Sequence, residues 1–316
     1  MKKIKIIGGG GYIGTRLSNY LHSKGYEVHV VDLFWFGDFL DSGIIKERKN
    51  LWDLKYNDLE GFNSVIFLGG LSNDPMASYR PDLNFIENSS APTYLAFIAK
   101  QAGVRKFISA SSCSVYGYTG DQVLDEDSRI KPQYPYGVSK IQSEVGIMLL
   151  EDEFFSPIIF RKGTVSGWSE KMRFDLVINT MFKDSFTKGK IIINNPNLWR
   201  PIIDIRDVVR AYETAINSES SGVFNLSGKN YTIGQLGEIV YNKISKISKL
   251  EIETKNISDV RNYKVSTEKI EKELGFFPIF KAEDIVDELL DRIKVEDFNF
   301  DLDLYYNINT FKNIKL

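Results

Sequence analysis

The stretch KIKIIGGGGYIG at residues 3–14 decides the fold, because it joins a short apolar run to a series of glycines. The apolar run, Lys3–Ile7, predicts a buried strand, and Thr15–Lys24 beyond the glycines has the apolar spacing of a helix. Glycines in a G-x-x-G-x-x-G pattern lie between these two elements: Gly8, Gly11 and Gly14. A strand, a glycine-rich turn and a helix in this order predict the first unit of a parallel α/β sheet.

The glycine-rich turn also indicates a ligand. Such a turn lets the backbone approach a diphosphate closely and directs the N-terminus of the following helix at the phosphates. A second predicted strand, Glu27–Asp32, ends in an acid eighteen residues after Gly14. A carboxylate there accepts hydrogen bonds from the ribose hydroxyls of a dinucleotide and repels a 2′-phosphate. Residues 33–36 contain no arginine, so the pattern favours NAD over NADP. The alternative is that the glycines serve only helix packing.

Short apolar runs and amphipathic segments alternate through the first half of the chain. This alternation predicts an α/β fold with a doubly wound parallel sheet of the Rossmann type. Further strands are predicted at residues 64–68, 106–110, 157–160, 191–193, 201–205 and 223–226, and further helices at residues 88–102, 136–150, 234–244 and 282–293.

The second half of the chain has a less regular pattern and no low-complexity linker. We expect residues 1–165 to form the dinucleotide-binding domain, with segments near residues 200–228 returning to it. Residues 166–316 are then mainly a smaller, interleaved C-terminal unit that binds the substrate. Their last part, residues 296–316, fits a docked tail and a frayed one equally well.

Composition excludes several classes of function. The 40 basic and 42 acidic residues give a net charge of −2, which argues against a nucleic-acid-binding protein. No apolar run reaches the ~18 residues of a membrane span, and the apolar start is too short for a secretory signal. The chain has few residues of the types that usually bind transition metals: one cysteine, Cys113, and two histidines, His22 and His29. We therefore expect a cytoplasmic protein with no metal and no nucleic-acid or membrane partner.

A tyrosine and a lysine in the sequence Tyr136-Gly-Val-Ser-Lys140 lie one helical turn apart and share one helix face. A free phenol has a pKa of about 10, but a neighbouring ammonium and a positive nicotinamide ring both favour the phenolate. The phenolate of Tyr136 can take the proton of an alcohol while a hydride leaves its carbon. Ser112, at the carboxyl end of a predicted strand, is placed to hydrogen-bond the same oxygen. A chance occurrence of Y-x-x-x-K on a helix is the alternative.

Three motifs carry a resemblance to a known family: IGGGGYIG at residues 7–14, SSCSVYG at residues 111–117 and PYGVSK at residues 135–140. In this order and spacing they resemble the extended short-chain dehydrogenase/reductases. Within that group the chain is similar to the nucleotide-sugar epimerase/dehydratase family, of the UDP-galactose 4-epimerase type. The resemblance implies NAD as cofactor, a nucleotide sugar as substrate and a homodimer formed through the helices near residues 88–102 and 136–150.

The resemblance also assigns roles to residues. It places Ser112, Tyr136 and Lys140 in catalysis. For cofactor binding we predict Gly8, Gly11, Tyr12, Ile13, Gly14, Asp32, Leu33, Asp53, Leu54, Leu68, Gly69, Gly70 and Asn88, together with Tyr136 and Lys140. For substrate binding we predict Ser72, Thr164, Arg173, Asn179, Arg200 and Arg261, of which Arg200 corresponds to an arginine that grips the diphosphate.

The sequence departs from the dehydratases of this family directly after Ser112. Those enzymes resemble one another in having an Asp-Glu pair there, because eliminating water needs an additional acid and base. Here the two positions hold Cys113 and Ser114, which argues against simple 4,6-dehydration. Cys113 itself is more typical of a small buried apolar residue than of a reactive thiol.

The leading functional interpretation is an NAD-dependent nucleotide-sugar 4-epimerase of polysaccharide biosynthesis. It oxidises C4 to a ketone and returns the hydride to the other face. A 4-dehydrogenase or 4-ketoreductase would use the same residues, so the sequence leaves this alternative open. A non-catalytic dinucleotide sensor is a third possibility, but a sensor has no need of the Tyr136–Lys140 pair.

Overall fold

The computed structural model of the chain describes residues 1–257 and 261–314. Its strands are β1 (Lys3–Ile7), β2 (Glu27–Asp32), β3 (Ile45–Arg48), β4 (Ser64–Phe67), β5 (Lys106–Ser112), β6 (Tyr118–Leu124), β7 (Ser156–Lys162), β8 (Thr164–Ser166), β9 (Lys190–Asn194), β10 (Trp199–Asp204), β11 (Gly222–Leu226), β12 (Asn230–Thr232), β13 (Glu251–Lys255) and β14 (Asn262–Val265). Its helices are α1 (Tyr12–Ser23), α2 (Asp74–Tyr79), α3 (Pro81–Phe85), α4 (Ala91–Gln101), α5 (Pro135–Met148), α6 (Val177–Thr187), α7 (Ile205–Asn217), α8 (Ile233–Ile244), α9 (Glu268–Leu274), α10 (Ala282–Arg292) and α11 (Asn307–Asn313).

The main sheet has seven strands in the order β11-β7-β5-β4-β1-β2-β3, and all of its neighbours run parallel. Helices cover both faces, so central strands such as β4 are buried along their whole length. The predicted α/β class and doubly wound parallel sheet are confirmed. The strand order reverses between β1 and β4, which is where open α/β sheets bind their ligands.

A close backbone approach forms this reversal point. Gly8 follows β1 with a φ of +82°, a left-handed conformation that favours glycine. A Cβ atom at Gly8 would collide with the backbone of Leu68 and Gly69 after β4. The turns that follow the two strands therefore approach each other only because Gly8 carries no side chain.

Several element boundaries differ from the sequence prediction. Helix α1 begins at Tyr12, because Gly11 is its extended N-cap. The helix predicted at residues 88–102 is α4, preceded by a π-helical turn, Ile86–Ser90. Pro92 lacks the N–H that an α-helix would need at this point, which explains the wider turn. The sequence pattern missed β3, β6 and β14, whose residues are largely polar.

A second apolar core lies beyond the main sheet and consists of residues between Met172 and Tyr306. It packs around the small sheets β12-β10-β8 and β13-β9, while β11 returns to the main sheet beside β7. The predicted boundary at residue 165 stays a prediction. Within the described ranges, no helix is long and apolar enough to cross a membrane.

The C-terminal segment is docked. Helix α11 packs on α2, and the buried ring of Phe311 lies with Leu71 and Met76 in a small apolar cluster. Trp35, from the loop after β2, packs against the same cluster with its ring 6.2 Å from that of Phe311. Of the two interpretations that the sequence left open, the docked one holds for the described part of this segment.

A buried ion pair joins helix α5 to the sheet. Arg161 on β7 and Glu144 on α5 approach to 2.7 Å, and their side chains are only 5% and 4% exposed. Ser111 on β5 donates to the same carboxylate, and Arg161 also donates to the hydroxyl of Tyr116 at 3.0 Å. Helix α5 is therefore held against the ends of β5 and β7.

We expect Glu144→Ala to lower the free energy of unfolding by about 3–5 kcal/mol, because it leaves the Arg161 guanidinium buried without its counter-charge. Urea unfolding of the purified variant measures this loss. The matched control is Glu219→Ala, which breaks the exposed pair with Arg105 and should leave the unfolding midpoint unchanged. Equal midpoints for the two variants would contradict the structural role of the buried pair.

Candidate active site

A cleft of about 880 Å³ lies outside the carboxyl ends of the sheet strands. It is lined by both halves of the chain, including the glycine turn, the ends of β2, β4, β5 and β7, and the segment around Arg200. The predicted site residues that line it are Gly8, Gly11, Tyr12, Ile13, Gly14, Asp32, Leu33, Leu68, Gly69, Gly70, Ser72, Ser112, Tyr136, Lys140, Thr164, Arg173, Arg200 and Arg261. The structure thus brings most of the predicted residues together, and their individual roles stay predictions.

The end of the cleft near β2 has the features expected for a dinucleotide. Asp32 faces the glycine turn, where its carboxylate accepts hydrogen bonds from the backbone N–H of Gly10 at 2.9 Å and of Phe34 at 2.7 Å. Burial raises the pKa of Asp32, and these hydrogen bonds oppose the shift. A Cβ atom at Gly14 would collide with the backbone of Gly8 and Gly9. The glycine cradle and the carboxylate together fit the diphosphate and a ribose of NAD.

Asp53 and Leu54 do not line the cleft, and their predicted role in cofactor binding stays a prediction. They follow the short turn Leu51–Asp53, whose N-cap Asn50 accepts from the N–H of Trp52 at 3.0 Å. This turn directs Leu51 and Asn50 into the cleft. Asp53 is left exposed, and Leu54 is fully buried in the core on one face of the sheet.

Asn88 and Asn179 are fully buried behind the cleft wall, and their predicted binding roles stay predictions. The amide of Asn88 donates to the carbonyl of Leu71 at 2.9 Å and so holds the turn after β4. The amide oxygen of Asn179 accepts from the N–H of Gly167 at 3.0 Å, and its nitrogen donates to the carbonyl of Arg173 at 2.9 Å. Both side chains support loops of the cleft without facing it.

The predicted catalytic residues converge at the opposite end of the cleft. Helix α5 begins at Pro135, so Tyr136 and Lys140 lie in its first turns, and the Lys140 ammonium is 5.5 Å from the centre of the Tyr136 ring. Ser112 ends β5, where its hydroxyl accepts from the N–H of Ser114 at 3.2 Å. The tyrosine, the lysine and the serine therefore reach one part of the cleft from α5 and β5.

Electrostatics at this end oppose ionisation of the phenol. Burial raises the pKa of Tyr136, Asp74 raises it further, and Arg173 lowers it. Burial lowers the pKa of Lys140 to about 8, although Glu144 acts in the opposite direction. Lys140 thus remains mostly protonated at pH 7, and its positive charge favours the phenolate of Tyr136.

The sequence analysis missed two charged groups here. Lys162 ends β7 and lines the cleft, and burial with the cations Lys140 and Arg173 lowers its pKa to about 7. Asp74, at the start of α2, lies 3.2 Å from Arg261. A lysine that ends an apolar strand and an acid in an Asn-Asp-Pro turn are also typical of surface positions, so neither residue could be singled out from the sequence.

Two of the predicted substrate residues, Arg200 and Ser72, are held by contacts with neighbouring residues. Arg200 on β10 donates to the carbonyl of Arg261, and its guanidinium lies 5.9 Å from the ring centre of Tyr263. The hydroxyl of Ser72 accepts from the amide of Asn307 at 2.8 Å, which joins the turn after β4 to α11. These contacts hold the side chains of Arg200 and Ser72 in place at the wall of the cleft.

The next features are the potential metal ligands in the described part of the chain and the thiol of Cys113. No group of three or more histidine, cysteine, aspartate or glutamate side chains there could hold a metal ion. The Cys113 thiol is fully buried and donates to the carbonyl of Arg161 at 3.1 Å. Burial raises its pKa, so the thiol stays protonated and away from the cleft.

Comparisons with known proteins identify the family and the fold. The model of the NAD dependent epimerase/dehydratase family matches residues 4–234 of the chain. A UDP-glucose 4-epimerase from Rhizobium meliloti (strain 1021) is 31% identical over 148 residues, which are 43% of this chain and 43% of the relative. The chain therefore matches less than half the length of that relative.

Two solved structures share the fold over nearly their whole length. MoeE5 in complex with UDP-glucuronic acid and NAD has a TM-score of 0.79 at 24% identity, covering 90% of this chain and 97% of that one. UDP-glucose 4-epimerase from Thermotoga maritima has a TM-score of 0.81 at 21% identity, covering 92% and 99%. These two likenesses show that the fold is shared. The family match over residues 4–234 shows that the chain belongs to the NAD dependent epimerase/dehydratase family and is an NAD-dependent enzyme.

Proposed function

We propose that the enzyme is a nucleotide-sugar 4-epimerase. The observation that carries the proposal is that Ser112, Tyr136 and Lys140 line the same cleft as the glycine cradle, while no carboxylate follows Ser112. The two positions that hold an acid pair in the similar dehydratases are here a buried thiol and the hydroxyl of Ser114. The site therefore has the groups for a proton and a hydride transfer but lacks the pair that elimination of water requires.

In the proposed reaction, the phenolate of Tyr136 accepts the proton of the C4 hydroxyl, and Ser112 hydrogen-bonds the same oxygen. The glycine cradle and Asp32 would hold NAD, which would supply the acceptor and donor of the C4 hydride. The C4 carbon becomes a ketone, and the sugar turns so that its other face is reduced. Tyr136 then gives the proton back to the new hydroxyl, so no net oxidation occurs. Lys140 stabilises the phenolate in both directions.

The substrate wall suits a nucleoside diphosphate. Arg200 and Arg261 line the same cleft as the catalytic residues, and a guanidinium can bind two phosphate oxygens at once. Thr164 and Ser72 add hydroxyl groups to the lining of the cleft. Because curated relatives are named UDP-glucose 4-epimerases, UDP-glucose and UDP-galactose are the first substrates to test.

A dehydrogenase or 4-ketoreductase on the same class of substrate is the second candidate, since it would use the same three residues. The docked α11 favours the epimerase. Phe311 and Asn307 line the cleft and pack between the loop after β2 and the turn after β4. A segment across this end of the cleft slows release of a bound dinucleotide, and an epimerase has no need to exchange it.

We expect Tyr136→Phe to lower kcat by about 10²- to 10⁴-fold, because the variant lacks the group that moves the C4 proton. The interconversion of UDP-glucose and UDP-galactose, followed by chromatography, measures the change. The control is Tyr56→Phe, which alters a tyrosine that is 54% exposed and outside the cleft. Near-normal turnover in Tyr136→Phe would remove the proposed mechanism.

We also propose a homodimer formed by helices α4 and α5. Large apolar side chains on these helices remain exposed in the single chain: Phe97 is 46%, Val145 58% and Leu149 80% exposed. Apolar side chains that cluster on neighbouring helices are typical of a protein–protein interface.

Light scattering should therefore give the mass of two chains for the unaltered protein. Val145→Lys introduces a charge into the proposed interface, and we expect it to give the mass of one chain. Ile247→Lys is the control, because Ile247 is 65% exposed and lies beyond α8, away from α4 and α5. A single-chain mass for the unaltered protein would contradict the dimer.

A further inference from the structure

The positive charges at the catalytic end of the cleft outnumber the acids that balance them. Lys140, Lys162 and Arg173 all line this end. Arg173 is balanced by Asp175, to which it donates at 2.9 and 2.6 Å. The acid that acts on Lys140 is Glu144, whose carboxylate is already bound by a buried arginine. Lys140 and Lys162 therefore have little negative charge nearby to balance their positive charges.

Of the three cations Lys140, Lys162 and Arg173, Lys162 has the least negative charge nearby to balance it. Within residues 1–257 and 261–314, its ammonium forms no hydrogen bond and no ion pair. The charges that act on its pKa are Lys140 and Arg173, and both lower it. An ammonium in this position gains binding energy from any anion that enters the cleft.

Each described carboxylate that lines the cleft is engaged with another group. Asp32 accepts from backbone N–H groups of the glycine turn, and Glu87 accepts from the indole of Trp52 at 3.0 Å. Asp74 pairs with Arg261, and Asp175 is held by Arg173. Within the described residues, none of these acids pairs with Lys162, so a ligand is the source of the anion that fits it.

The position of Lys162 in the sheet indicates which part of a bound ligand its side chain would contact. Lys162 is the register partner of Ser112 across β7 and β5, so its backbone lies beside that of the predicted catalytic serine. The reacting C4 must approach Ser112 and Tyr136, and C6 of a hexose is two bonds from C4. The arginines proposed for the diphosphate come from other elements: Arg200 lies on β10, and Arg261 is paired with Asp74.

We propose that Lys162 binds a carboxylate on C6 of the sugar, so that the enzyme prefers a nucleotide-linked uronic acid over the neutral hexose. The proposal rests on the proposed function, because it uses the same cleft and the same orientation of the sugar. An ion pair with the substrate balances the charge shared by Lys162 and Lys140. It also places C4 beside Ser112 and Tyr136.

The test compares dissociation constants of UDP-glucuronic acid and UDP-glucose on the NAD-loaded enzyme by calorimetry. The two ligands differ only at C6. We expect the unaltered enzyme to bind UDP-glucuronic acid about ten- to a hundredfold more tightly, as a charge-assisted hydrogen bond implies. Lys162→Met should abolish this ratio, and Lys162→Arg, which keeps the charge, should retain most of it. Binding of UDP-glucose by each variant verifies that its cleft is folded.

Three outcomes would overturn the proposal. The unaltered enzyme could show no preference, or Lys162→Met could keep the preference. Lys162→Met could also weaken both ligands equally, which would assign Lys162 to the shared diphosphate. In each of these cases the 4-epimerase proposal stands, because both ligands still bind. Failure of the unaltered enzyme to bind either ligand would overturn the proposed function as well.

Discussion

The buried ion pair between Glu144 and Arg161 is the interaction on which the site depends. It ties α5, which carries Tyr136 and Lys140, to the strand that ends in Lys162. Ser111 donates to the same carboxylate, so the strand that ends in Ser112 is held by it too. One buried carboxylate thus sets the relative positions of the proposed proton-transfer groups. An interaction of this kind maintains geometry rather than adding net stability, because burying the two charges is costly.

The cofactor end of the cleft depends on a different constraint, the close approach of two backbones at Gly8 and Gly69. Together the two constraints place the glycine cradle and the catalytic end on one edge of the sheet. Between them the cleft is positively charged and poor in free acids. Such a site favours an anionic substrate, and its cations partly offset the burial that raises the pKa of Tyr136.

Much of the fold could be predicted from the sequence, because short apolar runs with glycine or polar ends mark buried parallel strands. The predicted bounds of β1 and β2 agree with the structure to the residue. The direction of a side chain could not be predicted where it depends on a local turn, as for Leu54, or on packing behind a loop, as for Asn88 and Asn179. Lys162 was missed because a lysine at a strand end is usually solvated. Its charge becomes informative only when the neighbouring cations are known.

The most direct test of the account follows the hydrogen on C4. The enzyme, carrying only the cofactor with which it was purified, is incubated with UDP-glucose deuterated at C4, and the products are analysed by mass spectrometry and NMR. The account predicts UDP-galactose that keeps the deuterium on C4, with no net formation of NADH. A 4-keto product, or deuterium recovered in released NADH, would contradict the epimerase and favour a dehydrogenase.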